Sequence, residues 1–217
     1  MDGTQRTVLI TAGPTREFFD PVRFISNPSS GKMGYAIARA AFERGWRVLL
    51  VSGPVCLAPP GGCRFFPVIT GEEMLKTCEK LFPQCDLLIK AAAVCDFRPK
   101  EFLSEKFKKT GQGMSVEFEP VPDILKTLAA KKRAGQIVAG FAAETENVEA
   151  YALKKLKEKN LDFIVANRVG AQDSGFEADT NAAIVLGADG SRAEFALAQK
   201  AQLGAQLFDY LSSHHGQ

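Results

Sequence analysis

A cluster of small and polar residues precedes the first helical segment of the sequence. Residues 27–32 read NPSSGK, and the start of a helix leaves backbone N–H groups without intrahelical partners. With the hydroxyls of Ser29 and Ser30, the flexible Gly31 and the lysine that follows, such N–H groups suit a phosphate. A helix cap beside a solvated lysine is the structural alternative, and the local sequence leaves the two open.

Charged residues in two later segments are further candidates. Asp96 follows the small apolar run AAAVC, where a ligand can approach the backbone, and its alternative role is to cap a turn. Lys106, Lys108 and Lys109 lie in a segment with Pro and Gly, where a basic flap can close over polyphosphate, although most such runs are simply solvated. Phe141 ends the apolar run QIVAGF, a position that by itself favours a core aromatic.

Alternating apolar runs and helical repeats predict the elements that position these residues. The predicted strands cover residues 6–12, 46–52, 86–94, 136–143 and 162–169, and the predicted helices cover residues 33–44, 72–82, 148–159 and 199–211. Near-continuous apolar strands separated by helices indicate a Rossmann-like α/β fold, with a mostly parallel sheet covered by helices on both faces. Residues 181–186 and 191–197 flank the turn GADG and predict a C-terminal β-hairpin that extends the sheet.

Ligands of an open parallel sheet bind beyond the carboxyl ends of its strands, so the loops after the predicted strands are the candidate binding segments. The first loop, residues 13–32, is unusually long and contains Arg23 and Asn27. Two nucleotide signatures fail in it. The pair Gly31-Lys32 is not followed by Ser or Thr, as a P-loop requires, and GPT after the first strand does not continue as G-x-G-x-x-G.

The helix predicted at residues 148–159 carries another pattern. Tyr151 and Lys155 have the Y-x-x-x-K spacing of short-chain reductases, which makes an NAD(P)-dependent reductase an alternative function, but the glycine-rich loop that accompanies this spacing is missing. Asn147 is expected to cap the helix. The apolar side chains expected to face the core are Val148, Tyr151, Leu153 and Leu156.

Composition and charge exclude several classes of protein. The 217 residues are 46% hydrophobic and 24% charged, which is typical of a globular protein and not of a disordered or fibrous one. We expect one domain over residues 1–217, with a flap at about 98–122. A formal charge of +2 gives no reason to expect nucleic acid or membrane partners.

The cysteines and the apolar runs point to a cellular location. Five cysteines without a C-x-x-C pair match neither a disulfide framework nor a zinc site. No apolar run approaches eighteen residues, and the polar start is unlike a signal peptide. We therefore expect a cytoplasmic protein with reduced thiols.

Five segments, taken in order, resemble one enzyme family. They are ITAGPTREFFDPVRFISNPSSGKMGYAIARAA (Ile10 to Ala41), AAAVCDFRPK (Ala91 to Lys100), EKFKK (Glu105 to Lys109), VPDIL (Val121 to Leu125) and GFAAET (Gly140 to Thr145). They resemble phosphopantothenoylcysteine synthetase, most closely its bacterial, CTP-dependent branch. The stretch DPVRFISNPSSGKMGYAIA is a highly specific signal, and the likeness runs across almost the whole chain.

The resemblance implies a ligase of coenzyme A biosynthesis that joins 4'-phosphopantothenate to L-cysteine. The reaction passes through an acyl-cytidylate, consumes CTP, and releases CMP and pyrophosphate. A Mg²⁺ ion accompanies the nucleotide, and its protein ligands are unassigned. The resemblance also implies a homodimer, whose contact we expect at the C-terminal hairpin. Many bacterial relatives carry a flavin-dependent decarboxylase domain ahead of the synthetase domain. Only a few residues precede the first predicted strand here, so we expect a synthetase domain by itself, with the decarboxylase on another chain or in a part of the protein outside this sequence.

The same resemblance implies roles for individual residues. Asn27 stabilises the acyl-cytidylate, Arg23 helps to bind phosphopantothenate, and Lys106 acts in activating the carboxylate. Ser29, Ser30 and Gly31 bind substrate. The positions that match nucleotide contacts are Lys90, Ala91, Ala92, Asp96, Lys106, Pro122, Asp123, Ile124, Leu125, Phe141, Lys155 and Lys159.

Two positions depart from the family pattern, and a third function stays open. Cys95 stands where alanine is common in relatives, and Lys90 occupies a strand position expected to be small and neutral. Besides the reductase, the alternative is a nucleotide-binding regulatory module without turnover. Intact Asn27 and Lys106 argue against that module.

Overall fold

The structure, a computed structural model, describes residues 5–108, 111, 113–144, 146–168 and 178–214. Its strands are β1 (Thr7–Ala12), β2 (Arg16–Phe18), β3 (Phe24–Ser26), β4 (Arg47–Ser52), β5 (Arg64–Pro67), β6 (Leu87–Lys90), β7 (Phe97–Pro99), β8 (Phe118–Pro120), β9 (Ile137–Glu144), β10 (Phe163–Arg168), β11 (Thr180–Gly187) and β12 (Arg192–Gln199). Its helices are α1 (Lys32–Glu43), α2 (Gly71–Leu81), α3 (Ile124–Ala129), α4 (Val148–Glu158) and α5 (Lys200–Ser213), with a 3₁₀ turn at Phe82–Gln84.

Eight of the strands form one sheet in the order β12-β11-β10-β9-β6-β1-β4-β5. The six strands from β10 to β5 in this order are parallel, and β11 and β12 continue the sheet antiparallel. The predicted α/β sheet with a C-terminal hairpin extension is confirmed. Because the chain moves to one side of β1 with β4 and to the other side with β6, a crevice for a ligand is expected between the carboxyl ends of β1 and β6.

Strand β1 lies at the centre of the core, and every residue of it is buried. Its side chains alternate between the two faces of the sheet, as the strand geometry requires. Val8 and Ile10 pack with α1 and α5 on one face, and Leu9 packs with α2 and α3 on the other. Burial on both faces explains why this strand is apolar almost without interruption.

The predicted strand at residues 86–94 ends early, at Lys90. Beyond it the backbone hydrogen-bonds first to the end of β1 and then to the loop after β1. Ala91 N–H donates to the Thr11 carbonyl at 3.1 Å and Ala93 N–H donates to the Gly13 carbonyl at 2.9 Å. Periodicity does not separate such a loop from a strand, because the residues are equally small and apolar.

Two short antiparallel ribbons stand outside the main sheet, and the sequence patterns did not predict them. Strands β2 and β3 pair within the loop after β1. Strands β7 and β8 pair at the base of the predicted flap, where Arg98 contacts both Glu119 at 2.8 Å and Glu72 at 2.9 Å. The flap at 98–122 therefore leaves the core through a paired base, and Lys109 within it lies outside the described residues.

Helix α4 differs from its prediction in the face that it buries. Ala152 and Leu156 are buried, whereas Tyr151 and Leu153 are 42% and 40% exposed. The expectation that Tyr151 and Leu153 face the core was wrong, because the small Ala152 takes the position against the sheet. Asn147 occupies the N-cap position in a left-handed conformation, but its side chain makes no capping hydrogen bond.

Within the described residues, every helix is too short or too polar to span a lipid bilayer. All five cysteines are unpaired thiols. Burial raises the pKa of the Cys78 thiol, and likewise that of the Cys85 thiol, to about 12. These two thiols are therefore inert core residues and not nucleophiles.

Gly53 marks a close approach between the end of β4 and the loop after β1. A Cβ atom at this position would lie 1.6 Å from the Pro14 carbonyl oxygen. We expect Gly53→Ala to lower the free energy of unfolding by about 2 kcal/mol or more, because backbone must move to accommodate the methyl group. At Gly61 an added Cβ would meet nothing within 4 Å. Gly61→Ala is therefore the control, and equal midpoints for both variants in urea denaturation would contradict the prediction.

Candidate functional site

Two adjoining cavities open at the edge of the sheet where the parallel strands end. The central cavity, of about 180 Å³, lies over the ends of β6, β9 and β10 and beside the start of α1. The side cavity, of about 150 Å³, lies between the segment after β6 and the start of α3. Lys90 and Val94 line both cavities.

Hydrogen bonds fix the loop after β1 against the segment after β6. The Thr15 hydroxyl accepts from Cys95 N–H at 3.0 Å, and the Ser26 hydroxyl donates to the Thr15 carbonyl at 2.8 Å. The Asn27 amide Nδ2 donates to the Val94 carbonyl at 3.0 Å. These contacts hold the Asn27 side chain in the wall of the central cavity.

The start of α1 forms another wall of the central cavity. Gly31 occupies the N-cap position with φ of 75°, and no side chain caps the helix. The structure therefore shows no side-chain cap at SSGK, and the phosphate interpretation of this segment stays a prediction. Ser29, Ser30 and Gly31 line the cavity at the helix start, where the positive end of the helix dipole favours an anion.

A carboxylate and a lysine face each other at the side cavity. Asp123 caps α3 by accepting from Lys126 N–H at 3.0 Å, and Lys159 Nζ lies 2.8 Å from its other oxygen. Burial alone raises the pKa of Asp123, but this hydrogen bond and the Lys159 ammonium lower it below its usual value. Asp96 completes the polar lining. The side cavity therefore offers both donors and acceptors to a polar ligand.

Lys90 places an ammonium group between the two cavities. Its Nζ donates to the Ala92 carbonyl at 2.9 Å. Burial, together with the nearby charge of Lys159, lowers the pKa of Lys90 to about 8. An ammonium that has lost part of its water shell interacts strongly with an anion that enters either cavity.

The flap is tied to the loop after β1 through Asp20 and Arg23. Arg23 donates to the Phe107 carbonyl at 2.7 Å, while Asp20 accepts from Phe107 N–H at 3.2 Å and lies 2.6 Å from Arg23. Burial alone raises the pKa of Asp20, but hydrogen bonds from Val22, Arg23 and Phe107 lower it to about 2. Lys106 on the flap is next to Phe107 and is thereby tethered to the loop that also carries Asn27.

The structure brings together many of the residues predicted to form a site. Lining the central cavity are Asn27, Ser29, Ser30, Gly31, Lys90, Ala91, Ala92 and Phe141. Lining the side cavity are Lys90, Asp96, Pro122, Asp123, Ile124 and Lys159.

Other predicted residues lie outside both linings. Leu125 is buried and packs against Gly140. Lys155 pairs with Glu144 at 2.6 Å. Arg23 anchors the flap, as described above, and Lys106 is exposed on the flap.

Sequence reasoning missed the far wall of the central cavity. Asn167, Asn181 and Lys200 line that wall. They come from β10, β11 and the start of α5, and the signal for Asn167 was its place near the end of a predicted strand. The other two carried no signal, because the antiparallel hairpin places them at this edge only through tertiary structure. Asp20, in the loop after β1, had no predicted role.

Replacing Asp20 by Asn is expected to loosen the flap. One carboxylate oxygen that accepts from Phe107 and Arg23 becomes an N–H₂ group, so we expect trypsin to cleave after Lys106 or Lys108 about tenfold faster in limited proteolysis. Because the pKa of Asp20 in the folded protein, about 2, lies below that of a free aspartate, its stabilising effect is present above pH ~4 and is lost as the pH falls through about 2.

Glu117→Gln is the control for the Asp20 experiment. It removes the exposed ion pair with Lys100, of 2.9 Å, on the same flap, and exposed pairs contribute little. Cleavage at the wild-type rate in Asp20→Asn would show that these contacts do not hold the flap.

Comparisons with known proteins agree on the kind of domain. Residues 3–214 match the family model described as DNA/pantothenate metabolism flavoprotein C-terminal domain. The chain is 47% identical over 207 residues to the coenzyme A biosynthesis bifunctional protein CoaBC of Bacillus subtilis (strain 168), covering 95% of this chain and 51% of that protein. The chain therefore spans about half the length of the curated relatives it matches.

Solved structures show the same architecture. The crystal structure of the C-terminal domain of coenzyme A biosynthesis bifunctional protein CoaBC is similar with a TM-score of 0.81 and 42% identity, over 97% of each chain. A Cab2 mutant in complex with phosphopantothenate-cysteine is similar with a TM-score of 0.76 over 96% of this chain and 88% of that one. At 17% identity, this second likeness shows the fold alone.

Proposed function

Because the chain belongs to the family of DNA/pantothenate metabolism flavoprotein C-terminal domains, we propose that it is a ligase of coenzyme A biosynthesis that joins 4'-phosphopantothenate to L-cysteine and consumes CTP. The observation that carries the proposal is the pair of cavities that meet at Lys90. One has an amide and a helix start suited to an acidic phosphoester, and the other has the mixed polar lining suited to a nucleotide.

The central cavity is assigned to phosphopantothenate. Its phosphate group would accept from the N–H groups and hydroxyls at the start of α1, near Ser29 and Ser30. Its carboxylate would then lie near Asn27, whose Nδ2 carries a second N–H besides the one bonded to Val94. Arg23, which contacts the flap, would act on this substrate through the position of the loop.

The side cavity is assigned to the cytidine nucleotide. The predicted nucleotide positions Ala91, Ala92 and Phe141 line the adjoining central cavity, where the small side chains of the two alanines would let the base edge approach from the junction of the two cavities. Asp123 and Lys159 would contact sugar hydroxyls and phosphates. Lys155 pairs with Glu144 and would reach the nucleotide only by leaving this partner.

The proposed reaction has two steps in which atoms and charge balance. First, a carboxylate oxygen of phosphopantothenate bonds to the α-phosphorus of CTP, and pyrophosphate leaves with the electron pair of the broken bond. Next, the cysteine amine bonds to the activated carbonyl carbon and loses a proton, and CMP leaves. Lys106 on the flap would neutralise the triphosphate in the first step, and Asn27 would donate to the carbonyl oxygen in the second.

Magnesium belongs to the proposal as a companion of the triphosphate. Among the described residues no cluster of three or more His, Cys, Asp or Glu forms a ready metal site. In the proposal, the ligands of this ion come mainly from phosphate oxygens and water. Asp96 at the side cavity carries carboxylate oxygens that would complete its coordination, and the bound ion would neutralise phosphate charge.

A homodimer and a cytoplasmic location complete the proposal. Large apolar side chains that are more than a third exposed gather on and beside the two ribbons: Val22, Phe24, Phe97, Phe102 and Phe118. Such a group is typical of a contact surface. The β11–β12 hairpin, where the sequence placed the contact, exposes Leu197, so the two ribbons are the better candidate for the dimer contact. Sedimentation measures the oligomeric state.

The unpaired cysteines are compatible with a reducing compartment.

Pyrophosphate release tests the proposal directly. The protein is incubated with phosphopantothenate, cysteine and Mg²⁺ and with each of the four nucleoside triphosphates in turn. We expect release with CTP that depends on phosphopantothenate, and formation of the cysteine amide. Binding of CTP without release would favour a regulatory module, and oxidation of NADPH without a response to CTP would favour a reductase.

A further inference from the structure

Lys90 is the charged residue that the two cavities share. Among the described residues, Lys90 and Val94 are common to both linings, and Val94 is apolar. The chemistry of the proposed ligase takes place where its two substrates meet, because the new bond joins the acid in one cavity to the α-phosphorus of the nucleotide in the other. The side chain at this junction is therefore in a position to touch the reacting atoms.

The hydrogen bond of Lys90 orients its ammonium group. Nζ donates to the Ala92 carbonyl at 2.9 Å, on the segment that separates the cavities. An ammonium carries three N–H donors, and this contact uses one of them. Asp96 and Asp123 also line the side cavity, but neither forms an ion pair with Lys90 within the described residues. The remaining donors can therefore point toward an anion.

Charge considerations favour a phosphoryl oxygen as that anion. The acid and the α-phosphate are both negative, so their approach is opposed by repulsion that is strong in a site with little water. A cation between them reduces this repulsion and stabilises the charge that builds on the equatorial oxygens during transfer. The exposed Lys106 lies on the flap, so it serves a different part of the triphosphate.

We propose that Lys90 is a catalytic residue whose ammonium group contacts an α-phosphoryl oxygen of the nucleotide at the junction of the two cavities. This inference rests on the proposed function. In the step concerned, the carboxylate oxygen bonds to the α-phosphorus while the bond to the bridging pyrophosphate oxygen breaks, and pyrophosphate takes the electron pair. Lys90 keeps its proton throughout.

The test compares two ligands that differ in the phosphate alone. Cytidine and CMP are titrated calorimetrically into the wild type, Lys90→Met and Lys90→Gln, and into Lys80→Met as a control that removes an exposed charge. We expect each Lys90 variant to bind CMP about tenfold more weakly and cytidine within about twofold of the wild type. A residue that only supports the fold would weaken both ligands together.

Two outcomes would overturn the assignment of Lys90. They are an equal loss of affinity for cytidine and CMP, and an unchanged preference for CMP over cytidine. Lys90→Gln keeps an N–H donor for the Ala92 carbonyl, so it serves where Lys90→Met does not fold. Absence of pyrophosphate release by the wild type would count against the proposed function, whereas an active wild type with an unchanged preference in the variants would count against Lys90 alone.

Discussion

Asn27→Asp is expected to slow amide formation by about 10²- to 10³-fold, so that the acyl-cytidylate accumulates. In the first step of the proposed reaction, the carboxylate loses charge as its oxygen bonds to phosphorus, and a donor beside it has little effect on the barrier. In the second step the carbonyl oxygen gains charge as the cysteine amine attacks. An amide held in the cavity wall by Val94 at 3.0 Å is suited to stabilise that oxygen, and a carboxylate repels it.

Rapid quenching and mass spectrometry distinguish the two steps. The intermediate appears as a species that contains both phosphopantothenate and CMP, in an amount comparable to that of the enzyme. Asn27→Ala removes the donor without adding a charge and should also accumulate this species. Gln84→Glu, at an exposed position on the 3₁₀ turn before β6, makes the same change from amide to carboxylate at the opposite edge of the sheet and should behave as the wild type. Finding only unreacted phosphopantothenate in Asn27→Asp would contradict the assigned role.

The parallel sheet was predictable because its strands carry their own signal. A strand buried on both faces, such as Thr7–Ala12, is rich in apolar and β-branched residues, and the turn that follows it is marked by Gly13 and Pro14. The short strand Arg64–Pro67 was missed, since its exposed edge position leaves a mixture of arginine, phenylalanine and proline. Short edge strands follow tertiary pairing more than local preference.

The site was predictable in part for a related reason. Asn27 and Asp96 lie in loops that follow strands. Their position along the chain therefore already indicates the edge of the sheet where they meet. The wall formed by Asn181 and Lys200 depends on an antiparallel hairpin that folds back onto the sheet. No local sequence pattern predicts that this hairpin folds back onto the sheet. The anchoring of Phe107 by Asp20 and Arg23 is likewise a contact between distant segments.

Lys106→Gln is expected to reduce pyrophosphate release by about 10³-fold while CTP still binds. Lys106 is exposed and lies outside both cavity linings, so its removal leaves the nucleotide cavity intact. Its neighbour Phe107 is bonded through its backbone to Asp20 and Arg23. The flap can therefore bring this lysine over the triphosphate from a fixed anchor, and neutralising the leaving pyrophosphate is the effect that glutamine cannot reproduce.

A neighbouring lysine on the same flap separates this specific effect from a general loss of charge. Lys100→Gln removes one positive charge and an exposed ion pair with Glu117, and we expect its pyrophosphate release to stay within about twofold of the wild type. Single-turnover measurements at saturating CTP report the first step without the second. Normal pyrophosphate release with slow amide formation in Lys106→Gln would move this residue to the second step, because a cation needed only after CMP is attached cannot act on the departing pyrophosphate.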